Sequence, residues 1–188
     1  PELDWTAVKI SRNRHGGDSR LPFLIDEETD AAATGDASRY LRAGARRSYW
    51  LRAADARLEE ALPFVEEIRA SGCNLIVESN RLLDYLTPNL YLGVLDLSVP
   101  DFKNSTRRNL GQADRFAVVD RAGARSDWPG IALPDAARTP RLPISPAGFW
   151  GAELHAWLES RIASANGLEA ALQRPEPPKQ YTFAPARR

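Results

Sequence analysis

The chain has 188 residues, of which 43% are hydrophobic and 27% are charged, and its 25 basic and 25 acidic residues give a formal net charge of zero. This is the balance of an ordinary globular domain, and it argues neither for nor against a polyanionic partner. The single cysteine, Cys73, excludes an internal disulfide framework, and no apolar run approaches the roughly 20 residues of a membrane-spanning helix. We therefore expect a cytoplasmic protein without membrane contact.

The first half of the sequence alternates strand-like and helix-like segments. Thr34 or Asp36 is a suitable cap for a helix that Gly44 would end, and Pro63 is expected to interrupt and kink a later helix. The predicted elements are a strand over Trp5–Ser11, a basic loop over 12–20, a helix over 34–45, a strand over 46–53 and a helix over 54–70.

The second half continues the alternation and ends in a different composition. The last residues, 174–188, are rich in proline and basic, which predicts an extended or disordered tail after a single domain over 1–173. The predicted elements are a strand from Asn74 to Glu78, a short helix over 81–88, a strand over 90–96, a helix over 100–113, a strand over 114–120, a weaker strand in "PGIAL" or "RLPIS", and a long helix over 147–172.

Strands that alternate with helices are typical of a parallel sheet covered on both faces. The apolar runs Leu75–Val77 and Phe116–Val119 agree with this, since such strands are buried on both sides. We predict an α/β fold, a three-layer αβα sandwich with a mainly parallel sheet. Glu78, Asp96 and Asp120 each end a strand, so we expect them at the carboxyl edge of the sheet, where α/β proteins assemble their sites.

Two segments carry a family resemblance, "TGDASRYLRAGARRSYWL" and "NLIVESNRLLDYLTPNLYLGVLD". Together they resemble the molybdopterin-guanine dinucleotide biosynthesis B proteins, which are P-loop NTPase-like adaptors of molybdenum cofactor assembly. The resemblance spans about residues 5–120, and Glu78 stands at the family's strand-ending glutamate. Two departures are Ser79, where the family has glycine, and a histidine cluster reduced to His15. The residues of the first segment that match are Gly35, Asp36, Ser38, Arg39, Arg42, Ala43, Gly44 and Ala45.

The resemblance implies a nucleotide site that uses Mg²⁺ and a purine nucleotide, GTP or ATP. Glu78 would act near the terminal phosphate and, with Asp96, on the metal side. It also implies a molybdenum-cofactor biosynthesis protein as a partner, and it leaves a homodimer open. For each basic side chain the alternative is a solvated surface with no ligand. The expected phosphate-binding residues are Arg12, Arg14, Asp36, Ser38, Arg39, Arg42 and Lys103.

The phosphate loop of such proteins is not found in this sequence. Within residues 1–188 no glycine-rich segment ends in Gly-Lys-Ser or Gly-Lys-Thr, and the nearest segment, "RHGGDSR", lacks the lysine. We expect a strand and such a loop before Pro1, next to the Glu78 strand, and we expect nucleotide hydrolysis only with them. The rival hypothesis is a non-catalytic adaptor that keeps the fold. Nucleic-acid binding through scattered arginines is a weaker alternative that we do not expect.

Overall fold

The computed structural model describes residues 4–12, 21–96, 98–99, 103–119, 131, 133–135, 139–144 and 151–169. These residues divide into two compact units, the first extending to Ser79 and the second beginning at Asn80. The α/β class is confirmed, but the described strands form two separate sheets, whereas we expected one. Hydrophobic patterns predict that a segment is a strand without specifying which strand it pairs with, so the number of sheets was open to error. The single-domain assignment to residues 1–173 stays a prediction.

The first unit contains a four-stranded mixed sheet in the order β2-β3-β1-β4. Strand β1 runs parallel to both of its neighbours, whereas β2 is antiparallel to β3. Strand β2 was not predicted, because its short apolar start gives way at once to three acidic residues. The elements are β1 (Trp5–Ser11), β2 (Phe23–Glu28), α1 (Asp36–Arg42), β3 (Arg47–Ala53), α2 (Leu62–Ala70) and β4 (Asn74–Glu78).

Helices cover both faces of this sheet. On one face the Tyr49 ring of β3 meets the Phe64 ring of α2 edge-on, with the ring centroids 5.1 Å apart. On the other face α1 packs with Ser38 fully buried, and the Ser38 hydroxyl donates to Glu28 of β2 at 2.7 Å. Val8 of the central strand β1 is also fully buried, which contributes about 1.5–3 kcal/mol to folding. The core of this unit therefore lies along β1 and β3.

The sequence predicted that Gly44 ends one helix and that Pro63 interrupts another. Gly44 follows α1 with a φ of 98°, the left-handed conformation expected just after a helix. The interruption predicted at Pro63 is present as a change of helix type: a 3₁₀ helix over Asp55–Ala61 precedes α2, and Pro63 lies in the first turn of α2. The first turn of a helix has no partner for its N–H groups, so proline is tolerated there.

The burial of the two apolar strands also differs. Phe116 and Ala117 are buried as predicted, since they lie in β6 (Arg115–Val119), the central strand of the second unit's sheet. Burial on both sides is wrong for Leu75–Val77, because β4 is an edge strand and Ile76 remains 44% exposed. An apolar run alone does not distinguish a central strand from an edge strand.

The second unit contains a three-stranded parallel sheet in the order β5-β6-β7. Leu110 and Ala113 pack with Leu95 and Phe116 in one core cluster, and Leu154 packs on Ala117 in another. Among the described helices, none combines the length and apolar character needed to cross a membrane. The elements are β5 (Leu92–Asp96), α3 (Asn104–Asn109), β6 (Arg115–Val119), β7 (Arg141–Ile144) and α4 (Ala152–Glu169).

Candidate functional site

Four polar side chains meet in the first unit, near the carboxyl ends of β1 and β4. The Lys9 ammonium donates to Glu78 Oε1 and lies 3.0 Å from Asp36 Oδ2. The Tyr40 hydroxyl donates to the other oxygen of Glu78, Oε2, at 2.6 Å. We call Lys9, Asp36, Tyr40 and Glu78 the polar cluster. One lysine thus bridges two carboxylates, and one of those carboxylates is also held by a phenol.

The local structure explains why these residues converge. Lys9 and Glu78 are paired in register on neighbouring parallel strands, so their side chains project from the same face of the sheet. Asp36 and Tyr40 are four residues apart in α1, which places them on one face of the helix. Helix α1 packs against that same sheet face through β1 and β3. The cluster is therefore assembled by the strand register and by the position of α1.

The surroundings keep both donors protonated at neutral pH. Burial lowers the pKa of Lys9, but hydrogen bonds and charge attraction from Glu78 and Asp36 outweigh it, so the pKa lies above its ordinary value of 10.5. Burial raises the pKa of Tyr40, and its hydrogen bond to the Glu78 carboxylate raises it further. The cluster consequently offers an ammonium and a neutral phenol as hydrogen-bond donors, and two carboxylates as acceptors.

Asp36 and Glu78 are the carboxylates of the polar cluster that would contribute ligands to Mg²⁺. In the part of the chain that the structure describes, no group of three or more His, Cys, Asp or Glu side chains is placed to hold a metal ion. Mg²⁺, however, usually keeps several waters and binds one or two protein carboxylates together with substrate phosphates. Asp36 and Glu78 approach a common cation, the Lys9 ammonium, so this pair fits such a partly hydrated ion.

The residues of α1 predicted to bind phosphate have different contacts. Arg39 is exposed and pairs with Asp36 at 3.2 Å, which brings it to the rim of the polar cluster. Arg42 Nη1 instead donates to the backbone carbonyls of Ala31 and Ala33, at 2.5 and 2.8 Å. Ser38 is fully buried, and its hydroxyl donates a hydrogen bond to Glu28. Arg42 and Ser38 therefore hold α1 in place, and of these three only Arg39 reaches the cluster.

Other predicted site residues lie elsewhere. Asp96 ends β5 in the sheet of the second unit, and its Oδ1 accepts hydrogen bonds from the backbone N–H and the hydroxyl of Ser98, at 3.0 and 2.6 Å. Glu78 and Asp96 therefore end strands of different sheets, not of one sheet as expected. Lys103 is exposed just before α3, and Arg12 is exposed just after β1. Arg14 and Asp120 lie outside the described residues.

Sequence reasoning missed two members of the cluster, Lys9 and Tyr40. A signal for Lys9 was available, because a lysine interrupts the otherwise apolar core of "WTAVKIS" in a predicted strand. Tyr40 follows Asp36 by four residues, but only the packing of α1 shows that this side faces Glu78. The four-residue spacing of Asp36 and Tyr40 alone did not identify Glu78 as the partner of Tyr40.

An aromatic residue lies beside the cluster. Trp50 of β3 is paired in register with Lys9, and its indole N–H donates to the Ser11 hydroxyl at 2.7 Å. The Arg52 guanidinium lies 4.5 Å from the centre of the indole and pairs with Asp26. The sheet thus presents a tryptophan next to the polar cluster.

Comparisons with protein-family models, with curated proteins and with solved structures found no match to this chain. The resemblance to the molybdopterin-guanine dinucleotide biosynthesis B proteins therefore stays a prediction.

Proposed function

We propose that the protein binds a purine nucleotide with Mg²⁺, and that the polar cluster is the metal and phosphate side of the site. The observation that carries this proposal is the Lys9 ammonium held between Asp36 and Glu78 at the carboxyl end of two parallel strands. Ligands of open α/β sheets bind at this edge. A lysine at such an edge supplies a positive charge and three hydrogen-bond donors to phosphate oxygens.

The charges of the cluster support an ordered binding of the two ligands. Two carboxylates outnumber the single ammonium of Lys9, and the exposed Arg39 beside Asp36 brings the group close to neutrality. A neutral group attracts a polyphosphate weakly. Once Mg²⁺ joins Asp36 and Glu78, the site becomes positive and Lys9 is released toward the phosphates. We therefore expect Mg²⁺ to be required for nucleotide binding.

The cluster alone gives a weak site. The β- and γ-phosphates of a nucleotide are usually surrounded by backbone N–H groups of a glycine-rich loop, and residues 1–188 contain no such loop with its lysine. A single lysine and one bound metal replace only part of that arrangement. For residues 1–188 we expect dissociation constants in the millimolar range and negligible hydrolysis.

The wider assignment, to a family and a biological role, rests on the resemblance of residues 34–51 and 74–96 to the molybdopterin-guanine dinucleotide biosynthesis B proteins. From this resemblance we propose a P-loop NTPase-like three-layer sandwich and an accessory role in molybdenum cofactor maturation. Glu78 would then bind or orient the metal near the terminal phosphate, because it is the strand-ending glutamate of the resemblance and belongs to the polar cluster. The alternative is an adaptor that keeps the fold and binds no nucleotide.

Titration with Mg²⁺ and then tripolyphosphate, MgATP or MgGTP tests the proposal, with backbone amide NMR signals as the readout. The signals of Lys9, Asp36 and Glu78 should shift saturably, and only when Mg²⁺ is present. Glu78→Gln should weaken the Mg²⁺ response, whereas Glu66→Gln should not, because Glu66 pairs with Arg69 on α2, which covers the opposite face of the sheet. Unshifted cluster signals at the highest ligand concentration would leave only the adaptor alternative.

A further inference from the structure

We propose that Trp50, with the Arg52 guanidinium stacked on it, forms a platform for the purine base of the bound nucleotide. We call these two residues the Trp50–Arg52 platform. The inference rests on the proposed function, because it extends the same ligand from its phosphates to its base. Trp50 and Lys9 are Cα partners on the adjacent strands β3 and β1, so the platform directly borders the polar cluster.

The orientation of the indole is fixed from two sides. Its N–H donates to the Ser11 hydroxyl at 2.7 Å, and the Arg52 guanidinium lies 4.5 Å from the ring centre. Arg52 is in turn paired with Asp26 on β2. The guanidinium is positioned by the indole and by Asp26, while the buried Nε of Arg52 has no hydrogen-bond partner among the described residues. A ring held in this way loses little conformational freedom when a base stacks on it.

The indole is also accessible. Trp50 is 42% exposed, whereas its neighbour Tyr49, on the opposite face of β3, is only 6% exposed. Because the large apolar ring of Trp50 is partly in contact with water, the folded state lacks part of the stabilisation that full burial would give. An exposed aromatic ring of fixed orientation is the element that proteins use to stack nucleic-acid bases, and a neighbouring arginine strengthens such stacking.

The strand register allows one ligand to reach both the Trp50–Arg52 platform and the polar cluster. Asp26, Trp50, Lys9 and Glu78 form one cross-strand row on β2, β3, β1 and β4. Neighbouring strands are about 4.8 Å apart, which puts the platform about 5 Å from the lysine strand and about 10 Å from the glutamate strand. A nucleotide lying along this row, at the start of α1 where Asp36 meets Lys9, would have its base beside Trp50 and its phosphates beside Lys9 and Glu78.

Indole N–H signals in ¹⁵N spectra test the platform directly. AMP and GMP, with Mg²⁺ present, should shift the Trp50 signal saturably, and ribose 5-phosphate, which has no base, should not. Trp157 serves as the internal reference, since it also lies near an arginine, Arg115 at 5.4 Å, but in the second unit. Equal shifts of the Trp50 signal with AMP and ribose 5-phosphate would overturn the platform.

Variants separate the platform from the phosphate site. Trp50→Leu should weaken AMP binding by about 5-fold or more and leave the response to ribose 5-phosphate unchanged, while Trp50→Phe should give an intermediate loss. Nucleotide that shifts Lys9 but not the Trp50 indole would refute the platform and spare the proposed function. A third outcome combines two results: adenosine shifts the Trp50 indole signal, and Lys9→Met leaves AMP affinity unchanged. That outcome would support the platform and refute the proposed role of Lys9 in phosphate binding. Failure of adenosine, AMP and GMP to shift either residue would refute both.

Discussion

Lys9 of β1 and Glu78 of β4 face each other in register on neighbouring parallel strands, and the Lys9 ammonium donates to the Glu78 carboxylate. The pair joins residues 69 positions apart, unlike the pair of Arg57 with Glu60, which lies within one 3₁₀ helix. The Lys9 side chain is 20% exposed and that of Glu78 is 50% exposed, so solvent screens the pair only in part. The pair is therefore fixed by the fold and placed where a ligand can compete for it.

Lys9→Met should separate metal binding from phosphate binding. Without the ammonium, Asp36 and Glu78 lose the cation that Mg²⁺ would have to displace, so Mg²⁺ affinity should be equal or higher. Tripolyphosphate affinity should fall about 10-fold or more, because a charged hydrogen bond contributes about 1.5–3 kcal/mol. Calorimetric titration with each ligand measures both effects. Arg57→Met, which removes a cation from an exposed pair, should change neither, and a matching loss in that control would show that general charge is responsible.

Alkaline pH should destabilise the first unit through Lys9 and Tyr40. Both groups have pKa values raised by the fold above their ordinary values of 10.5 and 10.0, so the folded state holds their protons more tightly than the unfolded state does. Their contributions are complete below about pH 10 and are lost as the pH rises toward the folded-state pKa values. Urea unfolding followed from pH 8 to pH 11 should show this decline in the free energy of unfolding.

Tyr40→Phe provides the control for that pH dependence. It removes the hydrogen bond to Glu78, which should cost about 0.5–1.5 kcal/mol at neutral pH, and it should flatten the alkaline decline. Part of the decline should remain, because Lys9 is retained and because burial also raises the pKa of Tyr49, to about 12. A decline as steep as that of the unmodified protein would exclude Tyr40 as a contributor.

The two arginines of α1 should respond differently to substitution. Arg42→Met should destabilise the protein by about 1 kcal/mol, since its guanidinium donates to the carbonyls of Ala31 and Ala33. Arg39→Met should cost about 0.5 kcal/mol or less, because it removes one exposed pair with Asp36. Thermal unfolding of the two variants measures the difference. The reverse order of stabilities would contradict the structural role of Arg42.

Gly93 should tolerate no side chain in the second unit. A Cβ at Gly93 would lie 2.6 Å from Cδ1 of the fully buried Phe116, so Gly93→Ala should cost about 1–3 kcal/mol through overpacking. Gly111→Ala is the matched control, because a Cβ there has no atom within 4 Å outside its own neighbourhood. Chemical denaturation compares the two variants, and an equal loss in both would point away from the Phe116 contact.

Local sequence signals determined several elements of this protein. The apolar and β-branched run Trp5–Ser11 and the run ending at Glu78 were predicted with the bounds that the structure has, and Gly44 marked the end of α1. These features depend on backbone preferences and side-chain patterns within a few residues, so the sequence contains the information directly. The strand-ending position of Glu78 followed from the same pattern.

Only the tertiary structure decided which residues meet. Lys9 and Glu78 are joined by the pairing of β1 with β4, and Tyr40 reaches Glu78 because α1 packs on that face of the sheet. In this sheet β4 is an edge strand with Ile76 exposed, and Asp96 ends a strand of the other sheet. Strand order, register and helix placement depend on contacts between residues far apart in the chain, which no local pattern specifies. The local sequence determined that a strand ends at Glu78. The pairing of the strands and the packing of α1 determined that Lys9 and Tyr40 contact Glu78 there.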